Sequence, residues 1–346
     1  MSMSSEKNRP LGRRPSRINR RQFIAMGGAA AMLPLLPVRV RAASSKLIMK
    51  IAATHAEQEN VYRAMLRFKE TVEKKTNGQV EVQTYPNSTL GSMRATFNSV
   101  HLGILEAGVF DAATPGNQVA IWTVPELPYL FRDLDHVHRV LDGPIGQELN
   151  RAILEGAKVR TLAIYDTTFR KIFTSRTPIR SLPDMKGLKI RVPEAQSYVR
   201  CMQLLGANPT PVAWGELYTA LQMGVVEGFE NKCEAAYSAK LHEQTKFAAY
   251  TGHIFVLNPL MCSEQWFGRL PKDVQQILID AARDSLVWQR AEAPVSEKAF
   301  EQKMRDAGVS FTNPDVGPFQ KAVEPLYKEY GEKFNAMELI KRIREA

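Results

Sequence analysis

From Leu47 onward the chain alternates between short stretches with the two-residue period of a strand and longer stretches with the period of a helix. Asn77 and Gly78 close the first helical stretch, and Pro86 ends the strand that follows it. This β-α-β-α-β order predicts an α/β fold in which helices pack on a sheet. Strands are predicted over 47–54, 79–86 and 105–111, and helices over 60–78 and 92–103.

The second half of the chain continues the alternation and then becomes mostly helical. Strands are predicted over 159–166 and 187–192, followed by two shorter helix–strand units that end at Asn231. Long helical stretches are predicted over 233–247, 271–307 and 316–345. Because no internal repeat or Gly/Ser-rich linker divides the chain, we expect two α/β lobes interleaved along the sequence, not two consecutive domains.

The net charge of +10 is distributed unevenly. The segment up to Ala43 contains nine basic residues and one acid, which is +8, so only +2 remains for the rest of the chain. A nearly neutral body gives no reason to expect binding to a phosphate backbone, so we predict no nucleic-acid partner.

Residues 1–43 have the three-part layout of an export signal: a basic start, a modest apolar run over 23–38 and a small-residue exit at Val40-Arg41-Ala42. The apolar run is short and rich in Gly, Ala and Pro, so it suits a bilayer span poorly. Arg20-Arg21 before Gln22-Phe23-Ile24 resembles a twin-arginine signal. We predict a cleaved signal and a periplasmic mature protein; the alternative is an uncleaved anchor or a disordered basic arm.

The rest of the chain carries few patterns that indicate catalysis. There is no HExxH, GxSxG, GxGxxG or phosphate loop, and the histidines of "HVH" at 136–138 are predicted on a solvated helix face. Cys201, Cys233 and Cys262 are predicted to be buried single thiols. We predict no metal, no cofactor and no enzyme, although a triad can assemble in space without a sequence signature.

Two arginines follow or close predicted strands. Arg170 lies in "TTFRKIFTS", just after a strand, and Arg191 lies in "KGLKIRVPE", where Pro193 ends the next strand. Ligands of open α/β folds collect beyond the carboxyl ends of strands, and a planar guanidinium matches a carboxylate bidentately. The two arginines are therefore predicted to form an anion clamp at neighbouring strand ends. The alternative is that each makes an ordinary surface ion pair.

Three segments together resemble a known family. They are "ETVEKKTNGQVEVQTYPNSTLGS" (70–92), "ELPYLFRD" (126–133) and "TSRTPIRSLPDMKGLKIRVPEAQSYVRCMQLLGANPTPVAWGELYTALQMGVVEGFEN" (174–231). With them the chain resembles the solute-binding proteins of tripartite ATP-independent periplasmic (TRAP) transporters, the dicarboxylate-binding family. The resemblance covers essentially the whole mature chain.

The resemblance implies a two-lobed periplasmic binding protein fold with several crossings between the lobes and a long helix that spans both. Lobe I is predicted to comprise 44–167 and 257–296, and lobe II 168–256 and 297–346. Members of the family close on a small organic acid, here expected to be a C4-dicarboxylate or a sugar acid, and deliver it to a permease of two integral membrane subunits. A monomer is expected.

The resemblance also implies site residues. The arginine of "KIRVP" is the family's main carboxylate clamp and matches Arg191, and its helper matches Arg170. The asparagine of "GxEN" matches Asn231, and the aromatic residue that packs on the ligand matches Trp214, whose alternative is a core aromatic. His55, Arg94 and Asp111 lie near contact regions of the family; the alternative for His55 is a partly exposed loop histidine.

The sequence departs from the family pattern next to this site. Lys232 stands where the family usually has proline, and Phe229 stands where a polar residue is common. Two other functions remain open at this point: a receptor that serves a sensor, and an exported α/β enzyme.

Overall fold

The structure is a computed structural model that describes residues 46–346, so the export signal predicted over 1–43 lies outside the described residues. The strands are β1 (Leu47–Ala52), β2 (Val80–Tyr85), β3 (Ala107–Val109), β4 (Val159–Phe169), β5 (Lys171–Thr174), β6 (Lys189–Val192), β7 (Asn208–Pro211), β8 (Gly228–Asn231), β9 (Phe247–Ala249), β10 (Phe255–Ser263) and β11 (Ser310–Thr312).

The helices begin with α1 directly after the first strand. They are α1 (Asn60–Lys75), α2 (Met93–His101), α3 (Ala113–Gly116), α4 (Leu134–Asp142), α5 (Pro144–Ala157), α6 (Gln196–Leu204), α7 (Leu217–Gln222), α8 (Cys233–Ser238), α9 (Glu264–Phe267), α10 (Lys272–Asp306), α11 (Gly317–Val323), α12 (Pro325–Lys333) and α13 (Met337–Glu345). Helix α1 shows why such a segment becomes a helix on the sheet: its apolar residues recur at helical spacing and form one buried face, with Val61, Met65, Phe68 and Val72.

The strands form two sheets whose parallel parts determine where a ligand can bind. The first sheet has the order β2-β1-β3-β10-β4, with β1, β2 and β3 parallel. The second has the order β11-β9-β5-β8-β6-β7, with β6, β7 and β8 parallel. Each sheet therefore has an edge at which the carboxyl ends of three parallel strands meet, the usual place for a site in an open α/β fold.

The chain passes between the sheets several times. It leaves the first sheet after β4 and returns to it at β10, and helix α10 then leads back to β11 of the second sheet. Helix α10 packs on α1 and β4 from the first part of the fold and on α8 from the second. The α/β class, the interleaving and the long helix are confirmed, while the predicted lobe boundaries stay a prediction.

Three sequence predictions need correction. The stretch 316–345 is not one helix, because Glu324 and the segment 334–336 separate α11, α12 and α13. Helix α8 ends at Ser238, and 239–246 holds a short 3-10 turn before β9. His136 of "HVH" is fully buried, not solvated, since Nδ1 accepts from the backbone N–H of Arg132 and Nε2 lies 2.6 Å from the carbonyl of Ile343.

The cysteine prediction is confirmed, since Cys201, Cys233 and Cys262 are buried and unbridged. Within residues 46–346, no helix combines the length and apolarity that crossing a membrane requires. The same part of the chain contains no group of His, Cys, Asp and Glu side chains arranged to hold a metal ion.

Candidate functional site

A cavity lies at the carboxyl ends of the parallel strands of both sheets. Its empty space is about 830 Å³, part of which is open solvent, and this falls in the range of ligand pockets, about 300–1,000 Å³. Every residue that the sequence analysis predicted for the ligand site lines this cavity: His55, Arg94, Asp111, Arg170, Arg191, Trp214 and Asn231. They come from both sheets, so closing the gap between the sheets would enclose a bound molecule.

Arg191 lies in the third position of β6, and its side chain is 4% exposed. Its Nε donates to the carbonyl of Val212 at 2.9 Å, and its guanidinium carbon lies 5.4 Å from the ring centre of Trp214. Among residues 46–346 its two terminal nitrogens have no hydrogen-bond partner. Burial lowers the pKa of Arg191 to about 10, so the group stays charged at neutral pH.

Arg170 lies at the crossing between β4 and β5, and its backbone N–H donates to the carbonyl of Ile254. Its Nη1 donates to both carboxylate oxygens of buried Glu230, at 3.2 and 3.0 Å, and its guanidinium carbon lies 4.9 Å from the Tyr198 ring centre. Burial alone lowers the pKa of Arg170, but the negative charges around it, Glu230 foremost, together outweigh burial and the net direction is upward.

The prediction of two neighbouring strand ends is wrong in its geometry. Arg170 follows β4 of the first sheet, whereas Arg191 lies within β6 of the second. The residues still reach one cavity, because β5, which begins next to Arg170, pairs with β8 and β8 pairs with β6. The alternative of surface ion pairs is also wrong for Arg170 and Arg191, since both side chains are buried.

Glu230 is a member of the site that sequence reasoning missed. It neighbours Asn231 on β8 and is fully buried. Its Oε2 also lies 3.5 Å from Nε2 of His253, whose pKa burial lowers. A signal was present in "GFEN", because a carboxylate in an otherwise apolar strand requires a buried partner.

Trp214 has contacts on both of its sides. It begins a short 3-10 segment after β7 and packs edge-on against Phe229, with ring centres 6.5 Å apart. The indole also lines the cavity beside the Arg191 guanidinium. Trp214 therefore packs against a core aromatic and also lines the cavity, and its packing on a ligand stays a prediction.

The first sheet contributes residues with different degrees of exposure. Asp111 follows β3 and is buried, and its Oδ1 accepts from the backbone N–H of Thr114 at 2.7 Å. Arg94 lies in the first turn of α2 and is exposed. His55 is buried, so the alternative of a partly exposed histidine is wrong. Burial, followed by the nearby charge of Lys232, lowers the pKa of His55 to about 3, and the ring is neutral at pH 7.

Lys232 anchors a buried charge cluster that the sequence analysis also missed. Its Nζ lies 2.9 Å from Oε2 of Glu234 and 3.4 Å from Oε2 of Glu59, and all three side chains are buried. Burial lowers the pKa of Lys232, but the neighbouring carboxylates together raise it by a larger amount, so the net direction is upward. Glu59 and Lys232 both line the cavity.

Comparison with known proteins identifies relatives along most of the chain. The profile of the family described as bacterial extracellular solute-binding protein, family 7, matches residues 51–333. A solute-binding protein from Verminephrobacter eiseniae is 32% identical over 305 residues, which cover 88% of this chain and 90% of the relative. A C4-dicarboxylate-binding periplasmic protein from Rhodobacter capsulatus is 30% identical and covers 92% of this chain and 96% of its own length.

A solved structure has the same fold. The TRAP periplasmic solute-binding protein from Xanthobacter autotrophicus, solved with bound β-D-galacturonate, is 34% identical to this chain. The two align with a TM-score of 0.82 over 86% of this chain and 99% of the other. The two-lobed architecture predicted for the chain is therefore confirmed.

Proposed function

The chain belongs to bacterial extracellular solute-binding protein family 7, and from that premise we propose that it is the extracytoplasmic receptor of a TRAP transporter. In this role it binds a small organic acid in the cavity between its sheets and delivers it to a permease of two integral membrane subunits. The receptor works as a monomer in the periplasm after cleavage of the export signal in 1–43. It binds its ligand without chemical conversion.

The unpaired buried guanidinium of Arg191 carries this proposal. A cation that is 4% exposed and has terminal nitrogens without partners in residues 46–346 is costly unless an anion completes its hydrogen bonds. A ligand carboxylate would accept from this fork bidentately, as no monatomic anion can. Trp214, which lies beside the Arg191 guanidinium, and Asn231 both line the cavity and would hold the atoms next to the carboxylate.

Arg170 supports the clamp from a second position in the cavity lining. Because Glu230 already holds its Nη1, Arg170 contributes a fixed positive charge while its counter-ion keeps it in place. A carboxylate bound to Arg191 would complete a site built from both sheets, which favours the closed arrangement only when ligand is present. Binding and closure are coupled in this way.

The ligand is a C4-dicarboxylate or a sugar acid. The relative from Rhodobacter capsulatus is named for C4-dicarboxylates, and the protein from Xanthobacter autotrophicus holds galacturonate. His55, Arg94 and Asp111 line the cavity on the side of the first sheet and would contact the remainder of the ligand.

Thermal denaturation of the purified protein against D-galacturonate, D-glucuronate, succinate and L-malate tests the proposal. A ligand at a hundred times its dissociation constant stabilises the folded state by about 2.7 kcal/mol, which is an easily measured shift. We expect at least one acid to raise the melting temperature, and the shift to vanish in Arg191→Ala. Chemical conversion of the acid during incubation, or no shift with any organic acid, would instead favour the enzyme or sensor interpretation.

A further inference from the structure

One wall of the cavity consists of four buried polar side chains that the clamp does not use. His55 follows β1, Glu59 lies at the N-cap position of α1, Lys232 follows β8 and Asn258 lies within β10. Each is less than 7% exposed. Side chains from four separate elements converge here, so the wall is a product of the tertiary fold.

The positive charge of this wall is already neutralised. Lys232 contacts the carboxylates of Glu234 and Glu59, and Oε1 of Glu234 also accepts from the backbone N–H of Asn60 at 2.7 Å and from Ser296 at 2.6 Å. His55 is neutral at pH 7. The wall therefore presents no cation that could pair with a second carboxylate of a ligand.

Polar atoms of the wall nevertheless lack hydrogen bonds. Within residues 46–346, neither Nδ1 of His55 nor Oδ1 of Asn258 makes a hydrogen bond of normal geometry, although Asn258 lies close enough to raise the pKa of His55. In the same part of the chain, Oε2 of Glu59 has only its 3.4 Å ion pair with Lys232. Buried polar atoms of this kind acquire partners from a bound molecule or from water.

The charged side chains that act most strongly on Arg191 differ from the one that acts on His55. The charges that shift the pKa of Arg191 belong to Glu230, Arg170 and Asp111, whereas the charge that shifts the pKa of His55 belongs to Lys232. Arg94 also lines the cavity, but it is exposed, so an ion pair with it would be screened by water. The cavity thus combines one buried unpaired cation with a polar wall elsewhere.

We propose that His55, Glu59 and Asn258 form a subsite for uncharged hydroxyl groups of the ligand, and that Lys232 holds Glu59 in position. A hydroxyl can donate to the oxygens of Glu59 and Asn258 and can donate to or accept from the imidazole. A carboxylate only accepts, so it would face the oxygens of Glu59 and Asn258 unfavourably. This inference rests on the proposed function and narrows it to monocarboxylic acids with several hydroxyl groups.

Calorimetric titration of the wild-type protein tests the ligand class without any variant. We expect D-galacturonate to bind at least about tenfold more tightly than succinate, equivalent to about 1.4 kcal/mol. Among monodeoxy analogues of galacturonate, at least one should bind about tenfold more weakly than the parent acid. Tighter binding of succinate, or equal binding of every deoxy analogue, overturns the subsite.

Asn258→Ala then tests the residues. We expect this variant to bind galacturonate about tenfold more weakly than the wild type does. The variant should bind the sensitive deoxy analogue no more weakly than it binds galacturonate, because removing the Asn258 amide and removing the ligand hydroxyl abolish the same interaction. The control is Asn208→Ala, which truncates an exposed amide on β7 outside the cavity. Circular dichroism checks that both variants fold, and Glu59→Gln repeats the test at a second position without change of shape.

The results separate this inference from the proposed function. If no organic acid binds, or if Arg191→Ala binds galacturonate like the wild type, the receptor proposal fails and the subsite fails with it. If Arg191→Ala abolishes binding while Asn258→Ala and Glu59→Gln bind galacturonate like the wild type, the receptor stands and the hydroxyl subsite alone is overturned.

Discussion

Arg170 donates from Nη1 to both carboxylate oxygens of Glu230, and the two side chains are buried where β4 leads into β5. The pair places a fixed cation, held by its counter-ion, in the lining of the candidate ligand cavity. Arg191, in contrast, has no carboxylate partner within residues 46–346. From this difference we propose separate tasks for the two arginines, support for Arg170 and ligand recognition for Arg191.

Replacement of Glu230 by Gln should destabilise the protein by about 3–5 kcal/mol, because it leaves a buried guanidinium without a counter-ion. Urea unfolding of Glu230→Gln against the wild type measures this loss. The matched control is Glu329→Gln, which breaks the exposed Arg200–Glu329 pair and should change stability by about 0–1 kcal/mol. Equal effects of the two substitutions would contradict a structural role for the buried pair.

Replacement of Arg191 by Lys should weaken ligand binding by about 10- to 100-fold, although the positive charge is kept. Lysine cannot offer the planar fork, and loss of one charge-assisted hydrogen bond is worth about 1.5–3 kcal/mol. Titration with the best acid from the panel measures the change. Arg200→Lys, outside the cavity, serves as the control, and an unchanged affinity in Arg191→Lys would argue against bidentate recognition.

Glu126 should make the protein less stable as the pH rises. It is fully buried; Oε1 accepts from the backbone N–H of Ala112 at 3.0 Å, and Oε2 has no partner among residues 46–346. Burial, with a smaller contribution from Asp111, raises the pKa of Glu126 well above its usual value. The folded state therefore keeps this proton after the unfolded chain has released it, and stability falls as the pH rises above about 4.5.

Glu126→Gln isolates this effect because it mimics the protonated acid. Urea unfolding at pH 5 and pH 8 should show that the variant gains stability relative to the wild type at the higher pH. Other titrating groups are common to both proteins and cancel in the difference. A difference that is the same at both pH values would mean that Glu126 is ionised in the folded protein at pH 8 without penalty.

His55 should show the opposite pH dependence. Burial lowers its pKa to about 3, so the unfolded chain takes up a proton near pH 6.5 while the folded protein does not. Relative to His55→Gln, the wild type should lose up to about 1.4 kcal/mol of stability for each unit of pH below 6.5. Unfolding at pH 7, 6 and 5 measures this slope, and a flat difference would place the ring in solvent contact.

The strands and helices of the site could be predicted from the local hydrophobic periodicity of the sequence. Alternation located β6, and the proline that follows ended it at Val192, as predicted. The predicted helical stretch over 316–345 is divided into three helices, and periodicity did not show the short breaks at Glu324 and at 334–336. His136 was placed in solvent for a related reason, since its burial depends on the carbonyl of Ile343, far along the chain.

The amino-acid sequence by itself determined the α/β class, the interleaving and seven residues of the cavity lining, because these follow from local periodicity and from the motifs of the family. Only the tertiary structure decided which charges are paired. Glu230 meets Arg170 across 60 residues, and the Glu59 carboxylate meets Lys232 from a different element altogether. Pairing depends on distances of a few ångströms between remote segments, and hydrophobic periodicity contains no information on that scale.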